Sequence, residues 1–258
     1  FLENLNLSDP SLAAAKRLSD AGDDDAAAGA AADALFAEPF RHPVREADIP
    51  ALAAEILRLV PGQVEDLKAL ADEYILADPP DGVIRGKNPE DEQANWRAWQ
   101  RNHVDRCEGV HMLGRLYRLT GERRYAKGAI GLARRKLADI PPLPDDRPAG
   151  IYAWHPFDAL GSHEPAQRTE SVLHALPYLR PALTGRDRRF LAKAILALAD
   201  FHFRACRDDV LFNLPLHGLT PALIAGLLFP AFRDARTWVD VVSRSEEHTS
   251  ELQSRQVI

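Results

Sequence analysis

The sequence predicts an all-α protein, an incomplete α/α toroid built of antiparallel helix hairpins. Three observations carry this. Apolar residues recur at helical spacing through most of the chain after Asp48. The helical stretches come in pairs joined by short turns such as Thr120-Gly121 and Thr184-Gly185, with longer Pro-rich loops between pairs. No segment shows the polar–apolar alternation of a half-buried strand. The pairs vary in length, which argues against a regular tetratricopeptide or ankyrin array.

Residues 20–34 (DAGDDDAAAGAAADA) are Ala/Asp-rich and of low complexity. Ala favours helix while Gly22 and Gly29 weaken it, so the stretch reads as a mobile linker or a frayed helix. Residues 1–47 then form an N-terminal helical segment and linker, and the helical domain spans 48–243. Asp48 is placed to cap a helix running to Val60, with Pro50 in its first turn and Pro61-Gly62 ending it. Val64, Leu67, Leu70, Ala71, Tyr74 and Ile75 space a second helix over 63–77. Residues 78–89 (DPPDGVIRGKNP) are loop chemistry.

A long helix follows over 91–119, striped by Trp96, Trp99, Cys107, Val110, Leu113, Leu116 and Tyr117. Its partner over 122–138 carries Tyr125, Ile130, Leu132 and Leu137. Residues 141–150 (PPLPDDRPAG) are a second loop. Two more pairs cover 164–180 with 186–206, and 219–228 with 231–242, the last divided at Phe229-Pro230. Phe232 and Trp238 belong to the core.

The chain has 258 residues, 46% hydrophobic and 27% charged, which excludes whole-chain disorder. No apolar run reaches the roughly 18 residues of a membrane span. Two cysteines, Cys107 and Cys206, exclude a disulfide scaffold. A net charge of -6 weighs against a nucleic-acid binder. The ends read as cut. Residue 1 is Phe, and no signal peptide is expected to be visible in a chain whose start is missing. Residues 244–258, beginning RSEEHTSELQS, read like a sequencing adapter translated in frame. Natural sequence is therefore expected to end near Ser243, and the tail to pack against nothing.

Three segments resemble the N-terminal helical domain of heparinase II/III-like polysaccharide lyases, a group that includes alginate and oligoalginate lyases. The first is RCEGVHMLGRLYRLTGERRYAKGA (106–129), similar to the family's Tyr-x-x-Thr-Gly-Asp followed by Tyr-Ala. The second is Trp154 followed by Arg168 in WHPFDALGSHEPAQRTESVLHAL. The third is FNLPLHGLTPALIAGLLFPAFRDARTW (212–238), similar to the family's Asn, apolar helix, Phe-Pro-x-Phe and Ala-x-x-Trp. The resemblance covers about residues 48–243. Here Leu214 follows Asn213 where some relatives have His, GSHEP lengthens the Trp154–Arg168 interval, and Glu122 replaces the usual Asp.

The resemblance implies β-elimination on uronic-acid glycans such as a glycosaminoglycan or alginate, with no cofactor. The proton alpha to a carboxylate is weakly acidic. Neutral amide donors stabilise the charge that develops when it leaves, and Tyr or His moves protons. By resemblance Asn213 is the carboxylate-binding, catalytic residue. Read without the resemblance, it is first a helix N-cap. His217, one turn on, can reach the same cleft. Arg168 can hold a substrate carboxylate or sit in a structural ion pair. Trp154 can stack on a sugar or be buried between helices. His155 and His163 flank that loop, and His103, His111 and Trp99 fit the long helix's packing.

The resemblance places the family's catalytic Tyr and second His beyond the end of this chain, with its β-sandwich, so the fragment is expected to be inactive alone. It also implies a periplasmic or secreted parent. The expected partner is an acidic polysaccharide or oligosaccharide, not nucleic acid and not a membrane. No metal is expected, because His111, His163 and His202 lack ligand spacing. The basic run 122–136 reads first as a solvated face.

Two other readings stay open. An α/α-barrel glycoside hydrolase needs a pair of inward carboxylates, for which Asp158, Glu164 and Asp209 are the candidates. A non-catalytic helical scaffold needs an exposed apolar groove for a protein partner.

Overall fold

The computed structural model describes residues 1–37, 40, 45–74, 108–138, 163–206 and 213–244. Among them every regular element is helical. The single β-type contact is an antiparallel bridge between Leu5 and Phe232. The helices are α1 (Ala13–Asp20), α2 (Asp24–Leu35), α3 (Ile49–Leu59), α4 (Pro61–Tyr74), α5 (Glu108–Thr120), α6 (Arg123–Ala138), α7 (His163–Leu179), α8 (Gly185–Cys206) and α9 (Asn213–Leu228). Residues 235–244 form α10.

The stretch 20–34 is not a linker. Gly22, at φ 81, turns the chain between α1 and α2, and Asp23 caps α2 by accepting from Ala26 N at 3.1 Å. Ala27, Ala28, Ala31 and Ala32 are all buried. Alanine combines the best helix propensity with a side chain small enough for close helix contact, and α2 packs on both α1 and α8. Arg188 reaches Asp33 at 3.2 Å, and Arg189 pairs with Asp25. The N-terminus joins the same core: Asn6 N donates to Ala231 O at 2.8 Å and Arg233 N to Asn4 O at 2.9 Å.

Asp48 precedes α3 but does not cap it. Its carboxylate faces backward to Arg45 at 2.7 Å. Pro61 does not merely stop α3; it opens α4, at the position where a missing N–H costs nothing. The α5–α6 turn follows its sequence. Gly121 has φ 73, and its N–H closes α5 onto Tyr117 O at 2.8 Å. Thr120 Oγ1 then accepts from Glu122 N at 3.1 Å. Val110, Leu113 and Leu116 meet Tyr125, Ala129, Leu132 and Leu137 in the buried seam.

The third pair begins earlier than the sequence predicts. Helix α9 starts at Asn213, six residues before 219. It packs along both α7 and α8, filling the angle between them. Where α9 leads into α10, Gly226 lies so close to Ala235 that a Cβ would stand 2.7 Å from the Ala235 carbonyl oxygen. Phe229, Phe232 and Trp238 are buried there, with ring centroids 5.1 and 6.2 Å apart along the series. The core placement of Phe232 and Trp238 thus holds.

Candidate functional site

Contacts at the two ends of the central helices fix their directions. Just after α7, Arg180 donates to Ala37 O at 2.8 Å and Phe36 O at 3.3 Å. The Phe36 ring lies 5.4 Å from that of Phe229, just after α9. The C-terminal ends of α7 and α9 therefore lie together. Both helices are about 25 Å long at 1.5 Å per residue and pack against each other, so their N-termini point toward the same end. Helix α8 runs the opposite way: Thr169, early in α7, lies 3.5 Å from His202, late in α8. The N-termini of α7 and α9 and the C-terminus of α8 thus converge.

Three sequence-selected positions share that end. Arg168 and Thr169 lie near the start of α7, and Asn213 and His217 open α9. Arg168 is 5% exposed, and Thr169 and His202 are fully buried beside each other. An arginine so buried is held by partners rather than by water. For Asn213 and His217 the structure places the backbone; their side chains lie outside the described residues, as does the side chain of His163 at the start of α7. Trp154, His155, Trp99, His103, Asp158 and Asp209 also lie outside them, and so do residues 245–258. A helix N-terminus carries a positive dipole end, a setting that favours an anion.

A second polar cluster was not legible in the sequence. His111 on α5 stacks against His174 on α7, with centroids 6.0 Å apart and planes 27° apart. Its ring also lies 5.6 Å from Tyr178, which the Arg115 guanidinium approaches at 6.0 Å. Glu170 Oε1 stands 3.5 Å from His174 Nε2. Glu170, His174 and Tyr178 follow at i, i+4 and i+8 along one line of α7. The i+4 repeat was visible, but its meeting with His111 and Arg115 depends on how α5 packs. Tyr178 sits ten residues along α7 from Arg168, about 15 Å away. The cluster is a half-exposed interhelical seam that runs along α7 from Glu170, two residues past Arg168, to Tyr178 near its C-terminal end.

Among the described residues no group of three His, Cys, Asp or Glu side chains is arranged to hold a metal ion. Among them, too, no helix is long and apolar enough to cross a membrane.

No protein-family profile matches the chain, and no curated protein does. Solved structures match it in fold. A crystal structure of heparinase III aligns with a TM-score of 0.63 at 16% identity, over 95% of this chain and 37% of that one. The heparinase III BT4657 gene product aligns with a TM-score of 0.62 at 19% identity, over 92% of this chain and 37% of that one. Its form with methylated lysines gives 0.61 at 19% identity, over 93% and 38%. The chain spans a little over a third of the length of these structures. At such identity the likeness is one of fold: the helices form part of an all-α toroid like that of heparinase III.

Proposed function

We propose that the chain is part of a polysaccharide lyase that cleaves uronic-acid-containing glycans by β-elimination. What supports this reading is the fold like heparinase III, together with Asn213 at the first position of α9 and buried Arg168 near the start of α7, a helix that packs against α9. In the reaction a base takes the proton alpha to the uronate carboxyl. A carbon–carbon double bond forms, the glycosidic carbon–oxygen bond breaks, and the leaving oxygen is protonated. No oxidant, reductant or metal is required by that balance. The Asn213 amide donates to the carboxylate as charge builds on it. Arg168 lies behind, holding the α7 end in place, and His217 is one turn further along α9. Trp154 supplies a stacking face for a sugar ring. The toroid domain is 48–243, and the parent works in the periplasm or outside the cell, where such glycans are met.

The test is Asn213→Ala in the full-length gene product, followed by absorbance of the unsaturated uronate. Loss of one such donor costs about 3 kcal/mol in the barrier, roughly a hundredfold in turnover. Loss of an N-cap costs about 1 kcal/mol of stability and leaves turnover alone. Near-normal product formation with a lowered melting temperature makes Asn213 a helix cap and removes the proposal's central residue.

A further inference from the structure

Helix α6 reads RRYAKGAIGLARRKLA: six cations and no acidic residue. At 100° per residue Arg123, Lys127 and Arg134 fall within about 40° of one another, at the edge of the solvent face. Neighbouring carboxylates meet only part of this charge. Asp72 and Glu122 approach Arg124 at 3.1 and 2.8 Å, and Asp187 holds Arg134 at 2.7 Å. Among the described residues Arg123 and Lys127, both exposed, join no ion pair, and neither does exposed Arg186, one residue before Asp187. This excess of positive charge stands on a chain whose net charge is -6.

Gly131, the second of two glycines between the two groups of cations, is the second observation. A Cβ on Gly131 would meet nothing but the tip of Arg135, at 3.7 Å. Among the described residues no packing contact requires glycine at this half-buried position, yet glycine in a helix interior costs about 1 kcal/mol relative to alanine. What it provides is bare backbone between Lys127 and Arg134, which stand about 10 Å apart along the axis. A flat strip with cations at both ends suits an extended chain bearing repeated anions.

We infer that the solvent face of α6, from Arg123 to Arg135, binds an anionic polysaccharide lengthwise. The Arg134 end of this track lies against the first turn of α8, the opposite end from Asn213, so it is separate from the proposed site of cleavage. The glycan class rests on the lyase reading; the acidic chain as a whole disfavours duplex DNA as the alternative polyanion.

The experiment is salt elution of this chain from immobilised heparin. The unmodified chain is expected to be retained at about 50 mM NaCl, where screening is weak, and released as salt rises. R123E/K127E is expected to pass unretained. K16E/R236E changes the net charge equally, away from α6, and is expected to elute with the unmodified chain. R123Q/K127Q, checked by circular dichroism, repeats the test if the double reversal unfolds. Equal losses in R123E/K127E and K16E/R236E, or no retention of the unmodified chain, overturn the proposal. Stronger retention on immobilised duplex DNA than on heparin also overturns it. Cleavage is not measured here, so a failed lyase assay leaves this result standing, and a failed binding result leaves the lyase reading standing.

Discussion

Asp187 is the side chain whose removal the structure makes most calculable. It lies at the third position of α8 and is 12% exposed as a side chain. Its Oδ2 accepts from Thr184 N at 3.0 Å and Thr184 Oγ1 at 2.5 Å, while Asp187 N donates to Thr184 Oγ1 at 3.2 Å. This is a capping box with Asp in the place of Glu. Its Oδ1 accepts from Arg134 Nε at 2.9 Å, which ties α8 to α6. Asp187→Ala removes half the box, about 1 kcal/mol, and a charge-assisted pair worth about 1.5 kcal/mol once Arg134's partial exposure is allowed for. The sum is about 2.5 kcal/mol, or roughly 6 °C in melting temperature for a domain of this size. Burial raises the Asp187 pKa, but the Thr184 and Arg134 hydrogen bonds outweigh it and hold the group below its usual 3.8. The folded state therefore binds this proton less readily than the unfolded chain, and stability rises with pH across that window. The carboxylate's contribution is complete above about pH 5 and is lost as pH falls below 3.8 through the lowered folded value. Urea denaturation at pH 7 and pH 3 of the native chain and of Asp187→Asn measures it. A difference between the two that is the same at both pH values, or a cost of Asp187→Ala below 0.5 kcal/mol, refutes the reasoning.

Gly226→Ala is expected to cost 1–3 kcal/mol in urea, because its Cβ would meet the backbone oxygen of Ala235 at 2.7 Å and a carbonyl cannot rotate away. Gly62→Ala is its control: nothing lies within 4 Å of that Cβ in α4, and stabilisation by up to about 1 kcal/mol is expected. Trp238→Ala is expected to cost about 3–5 kcal/mol by chemical denaturation, since the ring is 1% exposed between Phe203 and Phe232. Trp238→Phe should recover most of that loss, because the indole Nε1 is buried with no hydrogen-bond partner and phenylalanine removes the orphan.

The helices that were legible are those whose signals are local. Thr120-Gly121 marks its turn because φ 73 is a backbone state that glycine adopts freely. Val110, Leu113 and Leu116 announce a buried stripe by spacing alone. The misread elements depend on partners distant in sequence. The alanines of α2 look like low complexity until α8 is set against them. Asp48 has the chemistry of an N-cap, but Arg45 three residues earlier competes for its carboxylate. Pro215 and Gly218 hid the start of α9, since proline lacks an N–H and glycine disfavours a helix interior. Packing of the helix against α7 and α8 overrides that preference. For the candidate site, the sequence supplied residue types at Arg168 and Asn213 but not their common end of the bundle. That followed only from Arg180 and Phe229 both meeting Phe36.

Arg180 has a larger part in this arrangement than its surface position suggests. Its Nε donates to Glu46 at 2.8 Å while Nη1 reaches the Ala37 carbonyl. Glu46 also faces Arg118, at the end of α5. One guanidinium thus joins the end of α7 to the chain after α2 and to the approach of α3. Only the planar fork of arginine reaches a carboxylate and two carbonyls at once; a lysine would keep a single point charge. Because α7 and α9 are level at this end, holding it fixed also sets how far their N-termini project at the other. Arg168 lies about 18 Å and Asn213 about 24 Å along their helices from this end, so the contacts at Arg180 bear on their axial register without touching either residue. The directional bonds at Arg180 and Asp187 add fixed partners to the apolar seams: Glu46, Ala37 and Phe36 for the one, Thr184 and Arg134 for the other.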